Sequence, residues 1–466
     1  MEKIPSNVLL CSCEAICVHG GEIMNIKLSD HFTYSKLLRF TVSSIFMMIF
    51  TSIYGVVDGF FVSNFVGKTP FAAVNFIMPV LMMLGAIGFM FGTGGSALVA
   101  KTMGEGKTEK AKEYFSLFVY VSLACGIVLA VLGIIFLRPI GALLGAEGTM
   151  LEDCVTYGRI ILLALPAFIL QMEFQSFFIT AEKPQLGLIV TVFSGITNMV
   201  LDALFIAVFQ LGLVGAALAT GLSQVVGGVI PLFYFGRKNA SLLKLGKTKW
   251  YGNAIVRACT NGSSELMSNI SMSLVSMLYN TQLLHYAGEN GVAAYGVLMY
   301  VSMIFMAAFI GYSIGVAPVI GFHYGASNHT ELKGLLKKSL VIIITFSVGM
   351  LILGEVLAQP LSRLFVGYDK ELLELTCRGF FIYSFSFLFS GIAIFGSSFF
   401  TALNDGLTSA LISFLRTLVF QIIAVLVLPA LLGMDGIWYS IVVAEVMAVI
   451  ITVLFLILKR KKYQYW

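Results

Sequence analysis

Two aspartates stand inside apolar stretches of the chain, where a charge is expensive. Asp58 lies in Ser52-Ile53-Tyr54-Gly55-Val56-Val57-Asp58-Gly59-Phe60-Phe61, and Asp202 lies in the apolar run from Thr191 to Val208. A carboxylate held in a bilayer-spanning helix is costly unless it gains a partner or a proton. Asn198 precedes Asp202 by one helical turn, and Thr220 sits in the next apolar run. Two carboxylates, an amide oxygen and a hydroxyl suit a hard monovalent cation such as Na⁺. The same pair could instead share a proton, because one carboxylate disfavours ionisation of the other. A polar network that merely locks three helices together would also use these residue types. Asp58 lies about two turns from the loop at Asn64 to Thr69. Asp202 and Thr220 lie about two turns from the turn at Gln210 to Gly212, so all three fall near one depth.

The elements that must position them are membrane helices. The chain has 466 residues, 58% hydrophobic and 11% charged, against roughly 25% charged in a soluble domain. A span needs roughly 20 mostly apolar residues. Apolar runs separated by polar breaks predict twelve: 37–62, 71–100, 113–137, 153–179, 185–209, 212–236, 253–285, 291–322, 335–357, 373–400, 407–430 and 436–458. The expected fold class is an all-α polytopic membrane protein.

A fixed offset of 221 residues relates Ala72-Ala73 to Ala293-Ala294, Gly94 to Gly315, Gly104 to Gly325, Pro139 to Pro360, Ser176 to Ser397 and Gly212 to Gly433. Six spans per repeat is an even number, so the halves are parallel repeats about an axis along the membrane normal. Two six-helix lobes then face each other across a cleft. The expected division is a lead at 1–35, an N-lobe at 36–238, a linker at 239–252, a C-lobe at 253–459 and a basic tail at 460–466. The lead looks unlike the rest, and Met24 is an alternative start.

The repeat serves as an internal control. Asp58 maps to Tyr279, Asn198 to Val419, Asp202 to Ile423 and Thr220 to Ile441. The whole polar cluster is absent from the second lobe, which marks it for a specialised task rather than shared packing. Other intramembrane polar residues are Glu265, whose mate is Ser44, and Glu173, in Gln171-Met172-Glu173, whose mate is Ile394. Either acid could face the cleft and attract a cationic substrate, or pair two helices. Arg257 and Arg416 read as residues of the inner membrane interface, and Glu355 and Asp405 as solvated ends of spans.

Lys and Arg gather on one side of the predicted spans, as at Lys101, Lys107, Lys110, Lys112, Lys244, Lys247, Lys249 and Lys459 to Lys462; the other side holds Lys68, Arg138, Arg363 and Lys370. By the positive-inside rule both termini are cytoplasmic and the protein sits in the cell membrane. The net charge of +5 follows this topology and is no nucleic-acid signal. Cys11, Cys13, Cys17 and His19 lack the downstream ligands of a metal site. The scattered histidines form no catalytic arrangement, so an enzyme is not expected and no cofactor is implied beyond a coupling ion.

The pattern resembles the multidrug and toxic compound extrusion (MATE) family, in its DinF-like and MepA-like branch. The carriers are Tyr54-x3-Asp58-x2-Phe61, Asn198-x3-Asp202, Thr220 and Asn261-Gly262-Ser263-Ser264-Glu265-Leu266-x2-Asn269. The resemblance implies a V-shaped, monomeric antiporter that extrudes organic cations or amphipathic drugs against inward Na⁺ or H⁺ by rocking of its lobes. It implies that Asp58, Asn198, Asp202 and Thr220 form the first-lobe cation site. Tyr54, Gln171, Glu173 and Glu265 are the candidates for the substrate cleft. Glu265 also matches a second-lobe acid of the NorM-like branch. The span Phe380 to Phe400 lacks the acids that accompany it there. The rival within the fold is a flippase for lipids or lipid-linked oligosaccharides, whose pyrophosphate cargo calls for a positively lined cleft.

Overall fold

The computed structural model describes residues 26–466 apart from Gly67, Lys238, Ala240 and Tyr368. The lead before residue 26, with Met24, the three early cysteines and His19, lies outside the described residues. Described residues form helices and no strands.

Five helices open the chain: α1 (Tyr34–Phe61), α2 (Lys68–Gly104), α3 (Thr108–Leu143), α4 (Gly148–Thr180) and α5 (Pro184–Asp202). A π turn at Val62–Val66 continues α1, another at Ala203–Val208 continues α5, and α6 (Gly212–Gly236) completes the first lobe. The second lobe begins with one long rod, Gly252–Gly325, broken at Gly288, where φ is 60°. The break yields α7 (252–287) and α8 (289–325). Then come α9 (His329–Val366), α10 (Lys370–Ser384) and α11 (Phe387–Ala402). The last three are α12 (Gly406–Phe414), α13 (Phe420–Leu432) and α14 (Met434–Tyr463). α10 and α11 form one span bent by 48°. α12 and α13 form another, joined by a π turn at Leu415–Val419.

Among the described residues ten helices are long and apolar enough to cross a membrane, eleven with the bent pair. α7 is the polar exception, because it carries Asn261, Ser263, Ser264, Glu265, Ser268 and Asn269. Most of the rods are longer than the apolar runs suggest, since polar turns at their ends remain helical; the fifth and sixth match the predicted runs. The repeat is visible in the backbone. Shifting α2 by 221 residues lands on α8 at both ends, and Gly212 and Gly433 share positive φ values of 56° and 61°.

The lobes meet on the side of the chain termini. Near its end α2 presses Gly104 against the carbonyl of Phe322, and α8 presses Gly325 against the carbonyl of Lys101. These contacts are mates under the 221-residue offset. A Cβ at either glycine would overlap the opposing carbonyl oxygen, so backbone approaches backbone there as small residues allow in membranes. Further along, the same two helices carry exposed Met82, Met83, Tyr300 and Met303. The cleft therefore widens away from the termini.

Chain ends reinforce this closure. Leu28 N donates to Glu182 of the first lobe at 2.6 Å, and Phe32 N donates to Glu331 of the second at 2.9 Å, with Leu28 and Phe32 fully buried. The linker lies along α3: Thr248 Oγ1 donates to the Glu113 carbonyl at 2.8 Å and Gly246 N to Ser116 Oγ at 3.1 Å. Asp405 is not a solvated span end. It is largely buried, accepts from Tyr463 OH at 2.7 Å and pairs with Lys459 at 3.3 Å. Burial pushes its carboxyl up, but the Tyr463 and Thr408 hydrogen bonds and the Lys459 charge outweigh this and hold it below its ordinary value. Glu355 likewise accepts a hydrogen bond, from Ser384.

Gly104→Ala and Gly325→Ala should each loosen the lobe contact, at a cost of about 1–3 kcal/mol for an overpacked interface. Thermal unfolding in nanodiscs should show a lowered Tm for both. Gly236→Ala, where a Cβ meets nothing within 4 Å, should leave Tm unchanged.

Candidate functional site

The structure brings Asp58, Asn198, Asp202 and Thr220 together inside the first lobe. Thr220 Oγ1 donates to Asp58 Oδ1 at 3.3 Å, joining α6 to α1. The Asp58 carboxyl also interacts with the side chains of Asp202 and Asn198 on α5. Asn198 and Asp202 are buried, whereas Asp58 and Thr220 are partly open. The acids point into the lobe rather than to lipid.

A fifth member is Tyr157, on α4 and fully buried. Its side chain interacts with Asp58, Thr220 and Asp202. The residue carries no sequence signal of its own, because its repeat mate is Arg378 and its neighbours are ordinary packing residues. The useful signal would have been that α4 must pass behind α5 and α6.

The cluster is short of partners. Tyr157 OH, both side-chain polar atoms of Asn198 and both carboxylate oxygens of Asp202 are buried without a hydrogen-bond partner. Buried polar groups are normally paired, and an unpaired buried carboxylate is far costlier than an unpaired amide. Two carboxylates, an amide oxygen, a hydroxyl and a phenol converge on one place. That donor set fits either a bound hard cation or a shared proton.

Tyr54 lies one turn from Asp58, interacts with it electrostatically and packs its ring against α5 at Gly195. The expectation that Glu173 and Gln171 line the substrate cleft is not met. Glu173 is fully buried within the first lobe, where Ser122 of α3 donates to Oε2 and its backbone abuts Gly92 of α2. Gln171 is buried between α5 and α6, with Nε2 donating to Ser194 Oγ at 3.4 Å and its side chain against Gly227. Both point into the bundle because α4 is the central helix of its lobe, enclosed over most of its length.

The second lobe holds a different arrangement. Arg416 is no interface residue: it sits in the π turn midway along the eleventh span and its Nε donates to Glu445 Oε2 at 2.9 Å and Oε1 at 3.1 Å. Glu265, partly buried on α7, interacts with the same guanidinium. Tyr279, the mate of Asp58, donates from its OH to Gln421 Oε1 at 2.7 Å and stacks on Tyr295 with ring centroids 5.4 Å apart. Here the two mid-span acids, Glu445 and Glu265, have the Arg416 counter-charge within reach. Among the described residues no group of three His, Cys, Asp or Glu side chains could hold a metal ion.

Comparison with known proteins agrees with this architecture. The family profile described as MatE matches residues 43–204 and 266–427. The chain belongs to the MatE family. Its two matched segments fall one in each half of the chain and begin close to the 221-residue offset seen in the sequence. The chain is 26% identical over 437 residues to the multidrug export protein MepA of Staphylococcus saprophyticus, covering 92% of this chain and 94% of that one. It shares the fold of a MATE transporter solved in complex with MaL6, with a TM-score of 0.89 at 21% identity over 94% of this chain and 98% of that one. It also superposes on a multidrug resistance MATE family transporter of the MOP superfamily in its outward-facing conformation, with a TM-score of 0.88 at 21% identity and the same coverage. The protein is thus a multi-pass membrane transporter of the MATE family rather than an enzyme.

The two lobes should respond oppositely to loss of an acid. Asp202→Asn removes an uncompensated buried carboxylate and should leave Tm unchanged or raise it. Glu445→Gln strips Arg416 of its paired charge and should cost about 3 kcal/mol. Thermal unfolding of the purified variants at neutral pH distinguishes the two.

Proposed function

We propose that the protein exports organic cations or amphipathic drugs across the cell membrane in exchange for inward-moving Na⁺ or H⁺. The observation that carries this reading is the first-lobe cluster: two acids brought together inside the lobe, one of them fully buried, with polar atoms around them that have no hydrogen-bond partner in the protein. An ion or proton that satisfies them changes the energy of the state in which it binds. Such a differential is what coupled transport requires.

Similarity to MepA, named as a multidrug exporter, supports the substrate class. The exposed methionines Met82, Met83 and Met303 support it too, since flexible thioethers adapt to dissimilar apolar ligands. The mid-span arginine that a phosphate-carrying flippase could use is paired with Glu445 and lies within electrostatic reach of Glu265, which favours cationic over phosphate-bearing cargo.

In this reading both termini are cytoplasmic, because the basic residues collect on their side. The cleft then opens outward. The external cation enters the Asp58–Asp202 cluster and alters the packing of α1, whose Gly55 and Gly59 have open space around them. Drug affinity falls and the drug leaves outward. The lobes then rock to face the cytoplasm, where the cation escapes. Membrane voltage adds about 2.3 kcal/mol per charge per 100 mV to cation entry.

The test is efflux of a fluorescent organic cation from proteoliposomes under separately imposed Na⁺ and proton gradients. One gradient should drive export. Asp58→Asn and Asp202→Asn should each abolish gradient-driven transport, and Tyr157→Phe, which removes a phenol oxygen that converges on the cluster, should reduce it. Normal pumping by both aspartate variants would overturn the assignment.

A further inference from the structure

A hollow lies between the lobes on the side of the termini, away from the acid cluster. It has a volume of about 300 Å³ and is lined by Leu98 and Lys101 of α2, Arg257 and Asn261 of α7, and Asn404 of the α11–α12 turn. A smaller hollow of about 190 Å³ shares Leu98, Lys101 and Arg257 and continues past Glu105 to Lys107 and Lys110. Lysine and arginine therefore face one another from opposite lobes. Lys101 and Arg257 feel each other's like charge across this boundary.

Neither cation is in an ion pair among the described residues. Glu105, the acid nearby, pairs with Lys107 at 2.8 Å; its charge also reaches Lys101, on which it weighs more than Arg257 does, without forming an ion pair with Lys101 or Arg257. The Lys101 ammonium lies 5.2 Å from the centre of the Tyr324 ring, which is a weak partner beside a carboxylate. The amides at the floor are spoken for: Asn261 Nδ2 donates to Asn404 Oδ1 at 2.7 Å, and Asn404 Nδ2 donates to the Ala97 carbonyl at 3.3 Å. Their bonds tie the two lobes at the same spot. Two like charges brought together where the lobes close oppose that closure, unless an anion lies between them.

We propose that this hollow binds a phosphate-bearing anion, bridging Lys101 of one lobe and Arg257 of the other and holding the lobes closed on that side. Arg257 supplies a planar fork that matches phosphate, and Lys101 a point charge. The volume takes a phosphate group with room to spare. The anion can come from the headgroup of an acidic lipid in the adjoining leaflet or from soluble phosphate. The site is separate from the coupling cluster and rests on the proposed function only for the statement that it faces the cytoplasm.

The experiment uses the full chain in nanodiscs and reads binding, so that it stands apart from any failure of transport. One arm titrates inorganic phosphate against chloride at constant ionic strength in phosphatidylcholine discs. The other replaces part of the phosphatidylcholine by phosphatidylglycerol. At least one arm should raise Tm saturably, and the arm that does so names the source. Lys101→Gln or Arg257→Gln should weaken the effect by about tenfold or more, as for a lost hydrogen bond to a charged group. Lys101→Arg should retain it. A readout that needs no variant is acetylation of Lys101 by an amine reagent, which the effective anion should slow relative to Lys244. No rise in Tm in either arm, a rise unaffected by both glutamine variants, or unprotected Lys101 would overturn the proposal.

Discussion

An ionisable group in a bilayer must find a proton, a fixed counter-charge or a mobile ion, and the two lobes of this protein meet that demand differently. In the second lobe the counter-charge is built in. Arg416 pairs with Glu445 and acts electrostatically on Glu265, and where the first lobe has Asp58 the second has Tyr279, satisfied by Gln421. In the first lobe no cation is supplied. Asp58 has the Thr220 hydroxyl, but the Asp202 oxygens have no hydrogen-bond donor at all. A lobe whose acids already have a fixed counter-charge has less to gain from an ion, whereas a lobe without one changes energy whenever an ion arrives or leaves. The asymmetry between twins, rather than either acid alone, makes the first lobe the sensitive one.

Sensitivity in one lobe affects transport only if the lobes can move as bodies. Their contact is concentrated near the termini, where Gly104 and Gly325 allow backbone to meet backbone. Such contact depends on shape and is lost abruptly once the helices separate, because dispersion falls steeply over a gap of less than an ångström. The Leu28 to Phe32 segment and the bond from Asn404 to the Ala97 carbonyl add directional links across the same boundary. Closure there is thus a sum of modest terms, of a size that a bound ion or a voltage-driven charge can rival.

Much of this was legible in the sequence, for reasons that differ by level. The twelve rods follow from apolar length, and the parallel lobes from the 221-residue offset, which glycines and prolines carry because backbone geometry restricts them. The four-residue cluster was legible because one lobe lacks it. Glu173 and Gln171 were misplaced because a polar residue in a span advertises burial among helices as readily as exposure to a cleft, and only the neighbours of α4 decide. Arg416 was misplaced because arginine in a membrane protein usually marks an interface; the acids that permit it in mid-span lie on α7 and α14, remote in sequence. Tyr157 was invisible for the same reason, since its role is set by what α5 and α6 place before it.

The three π turns tie these observations together. Each adjoins a charged residue of the membrane interior: Val62–Val66 follows Asp58, Ala203–Val208 follows Asp202, and Leu415–Val419 contains Arg416. A π turn widens the helix and weakens its hydrogen-bond ladder, and such turns concentrate at functional sites. In the second lobe the turn places a guanidinium that both carboxylate oxygens of Glu445 then hold fast, so it is pinned. In the first lobe the two turns adjoin acids that no counter-charge among the described residues holds, with Gly55 and Gly59 adding local freedom on α1. The soft backbone and the unsatisfied charge therefore coincide in the same two spans. An ion settling between Asp58 and Asp202 would act on the part of the lobe best able to yield.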